Sequence, residues 1–122
     1  VLADDFATGY PVNMFEQYVS IFREKGLSVT VLIQSESQLS SLYGSEKATT
    51  IINNCDTIVF LGSMDLETGK SISMRANRPL EDVLYMPIGS EIIFRRGMKP
   101  IFTRRYNIFQ RHVEKEKTQV TR

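Results

Sequence analysis

Three short apolar runs, each followed by a stretch with helical spacing, constrain the fold of this chain more than any other feature. The runs are Val1–Ala3, Leu27–Gln34 and Asp56–Gly62, and two further apolar segments follow at 91–97 and 100–108. Strands that alternate with helices in this order are joined by crossover connections, which leave neighbouring strands parallel. The sequence therefore predicts an α/β fold, with a mainly parallel sheet, crossover helices and a C-terminal strand pair.

The helix boundaries are predicted from capping residues and from apolar spacing. Glycines are expected to end the first two helices, and a serine or an aspartate is expected to cap the start of each later one. The predicted helices are Pro11–Lys25, closed by Gly26; Ser35–Gly44, capped by Ser35; Ser45–Asn54, capped by Ser45; and Asp65–Asn77, capped by Asp65.

The size and the residue types of the chain exclude several classes of protein. Its 122 residues suffice for one domain, and no apolar run approaches the ~20 residues of a membrane-spanning helix. A single cysteine, Cys55, excludes an internal disulfide and a cysteine-based zinc cluster. Because the one histidine, His112, lies in the polar C-terminal tail, catalysis by a Cys–His or Ser–His–Asp set is not expected.

Charge is distributed unevenly along the chain. Residues 1–94 contain 6 lysines and arginines against 12 aspartates and glutamates, a net charge of −6. Residues 95–122 contain 9 against 2, a net charge of +7. This basic end is either a solvated surface or a contact for an acidic partner. Residues 1–110 are predicted to form the folded domain, and 111–122, which lack apolar periodicity, a disordered polar tail.

Polar side chains lie at the ends of the first two predicted strands. Asp4 and Asp5 follow the first strand, and Gln34 ends the second. In parallel sheets the carboxyl ends of the strands share one edge, where ligands bind. An acid there can hold Mg²⁺ beside a phosphate, a second acid can orient or deprotonate water, and an amide can contact a γ-phosphate or position water. The alternative for all three residues is a structural role in the turn that follows.

The phosphate-binding loop that accompanies such acids in nucleotide hydrolases is not found in this sequence. An apolar run that ends in two acids is typical of the Walker B segment, and the letters GKS at 69–71 resemble the end of the Walker A motif. That motif, G-x-x-x-x-G-K-[ST], requires glycine where this chain has Met64. Asp65 and Glu67 would also place negative charge beside the phosphates. The sequence therefore predicts Walker B without Walker A.

Arg23 lies near the end of the first predicted helix. A basic residue there interacts favourably with the helix dipole, which is the structural interpretation. The functional interpretation is an arginine that reaches a phosphate bound by a neighbouring subunit. The residues alone leave both interpretations open.

Several segments, taken in order, resemble those of one known family. They are "REKGLSVTVLIQSESQL" with "YG" downstream, "NNCDTIVFLGS" followed by Asp65 and "ET", and "RRGMKPIFTRRY". Together they resemble the C-terminal half of the nucleotide-binding domain in type IV secretion coupling proteins, the TraG/TraD-like conjugation ATPases. The resemblance extends from Val1 to about Tyr106, and it implies a partial RecA-like P-loop ATPase fold, from Walker B onward.

The resemblance also implies a role for each candidate residue. Asp4 corresponds to the Walker B acid that helps to hold Mg²⁺, and Asp5 corresponds to the acid that activates water. Gln34 matches the glutamine sensor of the family, and Arg23 matches the arginine that reaches the nucleotide of the neighbouring subunit. The family usually has glutamate in place of Asp5, and aspartate is one methylene shorter.

For the intact protein the resemblance implies an ATP- and Mg²⁺-dependent hexameric motor at the cytoplasmic face of the bacterial inner membrane. Its expected partners are relaxosome proteins, relaxase-bound single-stranded DNA and the type IV secretion channel. This chain would be a soluble fragment without Walker A, expected to be inactive alone and to hold no cofactor. Because a sheet that lacks its phosphate-loop strand exposes an edge, self-association is also expected.

Two other functions stay open at this point. One is a non-catalytic docking module that binds relaxosome proteins or DNA, with the arginines of residues 95–105 as contacts for phosphates or for an acidic partner. The other is an independent Mg²⁺-dependent phosphohydrolase built on Asp4 and Asp5. That enzyme would need further carboxylates at the strand ends, whereas Asp56 precedes its strand.

Overall fold

The computed structural model of the chain describes residues 1–107 and residue 109, so the tail predicted for 111–122 lies outside the described residues. Within the described part, the chain forms five strands and five helices. In chain order these are β1 (Leu2–Ala3), α1 (Phe15–Glu24), β2 (Thr30–Val31), α2 (Glu36–Tyr43), α3 (Ser45–Asn53), β3 (Thr57–Phe60), α4 (Leu66–Ala76), α5 (Leu80–Leu84), β4 (Ser90–Arg95) and β5 (Ile101–Arg104).

The strands form two separate sheets. β1 and β2 are parallel, with Leu2 opposite Thr30 and Ala3 opposite Val31. β3, β4 and β5 form an antiparallel sheet in that order. The predicted α/β class is confirmed, with parallel strands followed by a C-terminal antiparallel sheet that contains the expected strand pair.

The position of β3 differs from the expected one. It pairs antiparallel with β4, with Phe60 opposite Ile92, and does not extend the parallel pair. Its side chains alternate, since Phe60 is buried whereas Thr57 and Val59 are exposed. A strand with one covered face is typical of antiparallel sheets. The apolar run did not reveal this pairing, because a short run of this kind does not specify its partner strand.

The first hydrophobic core lies between α1, α2, α3 and the parallel pair. Phe6, just beyond β1, stacks on Tyr43 with 5.5 Å between ring centroids and lies 4.5 Å from the Phe15 ring. The Tyr43 hydroxyl accepts a hydrogen bond from the Val12 N–H at 3.0 Å. These aromatic contacts fix the start of α1 against the end of β1. The buried residues of this core are Phe15, Leu39, Ala48 and Ile51.

The second core lies between α4, α5 and one face of the antiparallel sheet. α4 and α5 approach closely at Gly69, where an added Cβ would lie 2.8 Å from Leu84 Cδ2. Glycine at this position therefore serves the packing of α5, a short helix that the sequence did not predict. The buried residues of this core are Phe60, Ile72, Val83 and Ile92.

Two helix caps agree with the sequence prediction. Ser35 Oγ accepts from the Gln38 N–H at 3.1 Å, and Asp65 Oδ2 accepts from the Thr68 N–H at 2.9 Å. Because Asp65 starts α4, the GKS letters at 69–71 lie inside a helix, as expected, and not in a phosphate-binding loop.

Two helix starts differ from the prediction for local reasons. α1 begins at Phe15 and not at Pro11, because Met14 has a left-handed backbone with φ of 59°. Ser45 is the first residue of α3 and not its cap, since Gly44 takes the cap position. No helix within the described residues has the length and the apolar character that crossing a membrane requires.

Candidate functional site

The acidic pair lies in the turn that follows β1. The N–H of Leu32 donates to the Ala3 carbonyl at 2.9 Å, and the pairing resumes at Phe6, whose N–H donates to the Leu32 carbonyl at 3.0 Å. Asp4 and Asp5 therefore lie in a turn between Ala3 and Phe6, which are both hydrogen-bonded to Leu32. Both acids are exposed, at the carboxyl end of the parallel pair.

Local hydrogen bonds fix the shape of this turn. Asp4 Oδ1 accepts from the Asp5 N–H at 2.9 Å, and the Asp5 carbonyl accepts from the N–H and the hydroxyl of Thr8 at 3.0 and 2.7 Å. Asp5 has φ of 48°, in the left-handed region that aspartate tolerates better than most residues. Backbone outliers of this kind cluster at active sites.

Gln34 lies at the same end of the parallel pair, two residues beyond Leu32. Its side chain is exposed, and its Oε1 accepts from Gln38 Nε2 at 3.2 Å. The register of β1 and β2 thus places Asp4, Asp5 and Gln34 at one edge. Their chemical roles stay predictions.

The side chains at this edge fit part of a magnesium site. Mg²⁺ in nucleotide sites typically takes one or two carboxylates, and waters and phosphate oxygens complete its coordination. Within the described part of the chain, no group of three or more histidine, cysteine or acidic residues could hold a metal ion. Asp4 and Asp5 therefore suit a metal shared with a phosphate ligand, and they do not form a complete protein-only site.

Arg23 lies apart from these three residues. It follows Phe15 by eight residues on α1, or about 12 Å along the helix axis, whereas Phe15 contacts Phe6 beside the acids. Its half-exposed guanidinium pairs with Asp56, just before β3, at 3.4 Å, and Arg96 pairs with the same carboxylate oxygen at 2.9 Å. The structure therefore separates Arg23 from the acids of its own chain.

Cys55 lies in an environment that does not favour catalysis. Burial raises the pKa of its thiol, and the adjacent Asp56 carboxylate raises it further. Its Sγ donates to the Ile51 carbonyl at 3.4 Å. Because the thiolate is the nucleophilic form, a raised pKa makes this cysteine a poor nucleophile at neutral pH.

Sequence reasoning missed a hydrogen-bonded contact between the first turns of α2 and α4. The N–H of Glu36 donates to Thr68 Oγ1 at 2.9 Å, and the Ser37 hydroxyl lies 2.8 Å from both carboxylate oxygens of Asp65. The Ser71 hydroxyl donates to Glu36 Oε1 at 3.0 Å. Hydroxyl and acidic residues are typical of helix starts, and nothing in their spacing indicates that these two starts meet.

Two carboxylates in this contact have pKa values shifted in opposite directions. Partial burial raises the pKa of Glu36, and the Ser71 hydroxyl and Arg75 oppose that change. Hydrogen bonds from the hydroxyl and then the N–H of Thr68 lower the pKa of Asp65. The ionised form is therefore disfavoured at Glu36 and favoured at Asp65.

Glu36 is expected to make the fold less stable as pH rises. Because its pKa is raised on folding, the folded state holds more protons between the unfolded and folded pKa values, so the free energy of unfolding falls as pH rises through that window. Glu36→Gln removes this dependence and can still accept from Ser71. We expect the variant to gain stability relative to the parent at about pH 7.5 and to lose that gain towards about pH 4.5.

Urea unfolding at both pH values measures this difference. Glu46→Gln, in the exposed first turn of α3, is the matched control. Asp65, whose pKa is lowered, contributes stability that is lost only as pH falls through its folded pKa, below about 3.9, so it does not affect this window. A gain for Glu36→Gln that is equal at both pH values would contradict the prediction.

Comparison with known proteins identifies one family model and one fold. The family model described as the TraM recognition site of TraD and TraG matches residues 1–76. No curated protein sequence matches the chain. Among solved structures, the unbound monoclinic form of the bacterial conjugative coupling protein TrwBdeltaN70 superimposes with a TM-score of 0.75 at 19% identity, over 86% of this chain and 30% of that one.

Two liganded forms of TrwB superimpose on this chain with similar TM-scores and sequence identities. The complex with ADP and Mg²⁺ has a TM-score of 0.73 at 19% identity, and the complex with the GTP analogue GDPNP has 0.72 at 20%. Each covers 84% of this chain and 29% of TrwB. This chain thus spans less than a third of the length of these structures. The likeness establishes the fold, and it confirms the expected partial RecA-like ATPase architecture.

Proposed function

The chain belongs to the TraG/TraD family of coupling proteins, and from this premise we propose that it forms the Walker B half of an ATP-hydrolysing domain in a conjugative-transfer motor. The motor would recruit the relaxase–DNA complex and move DNA through a type IV secretion channel.

One observation carries the proposal: the in-register parallel pairing of β1 and β2. Asp4 and Asp5 directly follow β1, and Gln34 lies three residues beyond β2, so the proposal assigns all three to the carboxyl end of two neighbouring strands. In open α/β sheets ligands bind in the crevice beyond these ends. TrwB, which has the same fold, is known in complex with ADP and Mg²⁺, and this supports the choice of ligand.

Each candidate residue has a distinct role in the proposed hydrolysis. Asp4 would hold Mg²⁺ directly or through water, and the ion would supply positive charge beside the phosphates. Asp5 orients and deprotonates the attacking water. Gln34 contacts the γ-phosphate or that water, since an amide both donates and accepts. Arg23 acts on the nucleotide of a neighbouring subunit.

The remaining parts of the motor would belong to a longer protein. This chain spans about 30% of the TrwB chain that it matches, and it contains no Walker A motif. We therefore propose that it lies in the cytoplasmic part of an inner-membrane protein that supplies the phosphate loop and assembles as a hexamer. Its proposed partners are relaxosome proteins, relaxase-bound single-stranded DNA and the secretion channel, and this fragment alone is not expected to hydrolyse ATP.

Replacement of Gln34 by alanine tests the proposal. In the full-length protein, we expect DNA-stimulated kcat for ATP to fall about 10²-fold, the typical cost of losing a polar group that contacts the transition state. The KM for ATP should change little, because ground-state binding depends mainly on the phosphate loop and Mg²⁺. Steady-state phosphate release gives both constants.

Gln17→Ala provides the matched control. Gln17 is exposed on α1, and its loss makes the same chemical change away from the strand ends. Its kcat should stay within about twofold of the parent. If Gln34→Ala were as active as Gln17→Ala, Gln34 would have no part in ATP hydrolysis, and the motor assignment would be weakened.

A docking module is the second candidate function, and the family description favours it. That description names a TraM recognition site, and its model matches residues 1–76. Docking would therefore involve the N-terminal part more than the basic segment. Two arginines of that segment have contacts within the fold, since Arg96 pairs with Asp56 and Arg105 donates to the Leu61 carbonyl.

A further inference from the structure

The contact between the starts of α2 and α4 joins the two halves of the molecule. α2 belongs to the first hydrophobic core and α4 to the second, and these cores share no buried residue. Thr68 lies at the centre of the contact and is only 6% exposed. A polar side chain this buried requires hydrogen-bond partners, because an unsatisfied hydroxyl is costly.

Thr68 relays hydrogen bonds between the two helices. Its Oγ1 accepts from the Glu36 N–H at 2.9 Å, and its hydroxyl donates to Asp65 Oδ2 at 2.6 Å. The first N–H groups of a helix have no partner within it and usually bond to water or to a local cap. Here the first N–H of α2 is satisfied by a side chain of another helix. Bonds in such a chain strengthen one another.

Gln34 is linked to this relay by hydrogen bonds in the first turn of α2. It lies two residues before Glu36, in the segment that joins β2 to α2. Its Oε1 accepts from Gln38 Nε2 at 3.2 Å, and the Gln38 N–H in turn donates to the Ser35 cap at 3.1 Å. The first turn of α2 thus holds Gln34 directly, and Thr68 holds that turn.

We propose that Thr68 is a positioning residue for Gln34, acting through the Glu36 N–H and the first turn of α2. The inference rests on the proposed function, because it gives Gln34 a role at the γ-phosphate. It extends that function by assigning a part to a buried threonine that directly precedes the GKS letters at 69–71. Asp65 completes the relay by accepting from Thr68 while it caps α4.

Two substitutions at Thr68 separate the hydroxyl from the shape of the side chain. Thr68→Val is nearly isosteric, but it leaves the Glu36 N–H without its acceptor and removes one of the donors to the Asp65 carboxylate. Thr68→Ser keeps the hydroxyl and removes only a methyl group. In the full-length protein, we expect Thr68→Val to lower kcat about tenfold with the KM for ATP within about twofold, and Thr68→Ser to restore most of the parental kcat.

A double-mutant cycle with Gln34→Ala tests whether Thr68 acts through Gln34. If it does, adding Thr68→Val to Gln34→Ala should lower kcat no further. If Thr68→Val lowered kcat by the same factor in the parent and in the Gln34→Ala background, Thr68 and Gln34 would act independently, and the inference would be overturned. If Thr68→Val kept the parental kcat while Gln34→Ala lost activity, the inference would be overturned. The proposed function would not be affected.

Unchanged hydrolysis in Gln34→Ala would overturn the proposed role of Gln34 and this inference together, so the two failures can be told apart. If Thr68→Val does not fold, Asp65→Asn takes its place in the same cycle. That variant replaces the charged acceptor of the Thr68 hydroxyl with a neutral amide of nearly the same shape, so it weakens the relay and can still cap α4. We expect it to lower kcat about threefold, with the same lack of additivity; a fully additive effect would again overturn the inference.

Discussion

Replacement of Asp4 by asparagine is expected to lower ATP hydrolysis by the full-length protein roughly 10³-fold, since a metal ligand contributes several kcal/mol to stabilising the transition state. Asparagine has nearly the same shape, and its side-chain oxygen can still accept from the Asp5 N–H, as Asp4 Oδ1 does at 2.9 Å. The turn should therefore survive while the charge that holds Mg²⁺ is lost. Phosphate release at saturating ATP, followed across a Mg²⁺ titration, measures the effect.

The Mg²⁺ titration distinguishes a lost metal ligand from general damage. A lost ligand raises the Mg²⁺ concentration that gives half-maximal activity, whereas a destabilised fold lowers the maximum at all concentrations. Asp82→Asn, on the exposed surface of α5, makes the same charge change elsewhere and should leave both quantities within about twofold of the parent. If Asp4→Asn retained the parental rate and Mg²⁺ dependence, the Walker B assignment would be wrong.

The same variant separates the motor from the docking function. The proposed docking of a relaxosome protein on residues 1–76 would not require a bound metal, so Asp4→Asn is expected to bind such a partner as the parent does. Binding measured by titration calorimetry would therefore persist while hydrolysis is lost. Loss of both would indicate that the turn after β1 belongs to the docking surface.

Features set by neighbouring residues were predictable from the sequence. Ser35 and Asp65 cap their helices because each side chain reaches an N–H three residues ahead. Gly26 ends α1 with φ of 71°, and the N–H of Leu27 returns to the Phe22 carbonyl at 2.8 Å. This is the pattern expected of a glycine that follows a helix.

Features that depend on distant residues were not predictable. β3 pairs antiparallel with β4, and the four letters TIVF do not indicate which strand lies beside them. The relay through Thr68 joins residues 32 positions apart. Each end looks like an ordinary helix start, so only the three-dimensional packing reveals the contact.

The candidate site was predictable in part. One general rule, that carboxyl ends of neighbouring parallel strands share an edge, sufficed to group Asp4 and Asp5 with Gln34. The pairing of Arg23 with Asp56 was not foreseen, since it joins the end of α1 to the residue before β3. That pairing leaves the Arg23 side chain half-exposed at the end of α1 that is remote from Asp4 and Asp5.

Arg23→Ala is expected to lower ATP hydrolysis by the assembled protein about 10³-fold, the lower range for an arginine that acts on phosphate in the transition state. A purely structural role predicts a much smaller effect. The side chains of Arg23 and Asp56 are 52% and 56% exposed, and exposed ion pairs typically contribute about 0–1 kcal/mol. Arg96→Ala, which removes the other partner of Asp56, is the matched control and should remain nearly as active as the parent.

Mixed assemblies test whether Arg23 acts across the subunit interface. Subunits with Asp4→Asn keep Arg23, and subunits with Arg23→Ala keep Asp4, so each supplies what the other lacks. In a randomly mixed 1:1 ring, about a quarter of the interfaces join an intact Asp4 to an intact Arg23 of the neighbour. Hydrolysis should therefore recover towards that fraction of the parental rate, far above either variant alone. Mixed rings as inactive as their parts would show that Arg23 does not act in trans, since an arginine that serves only its own subunit cannot rescue a neighbour.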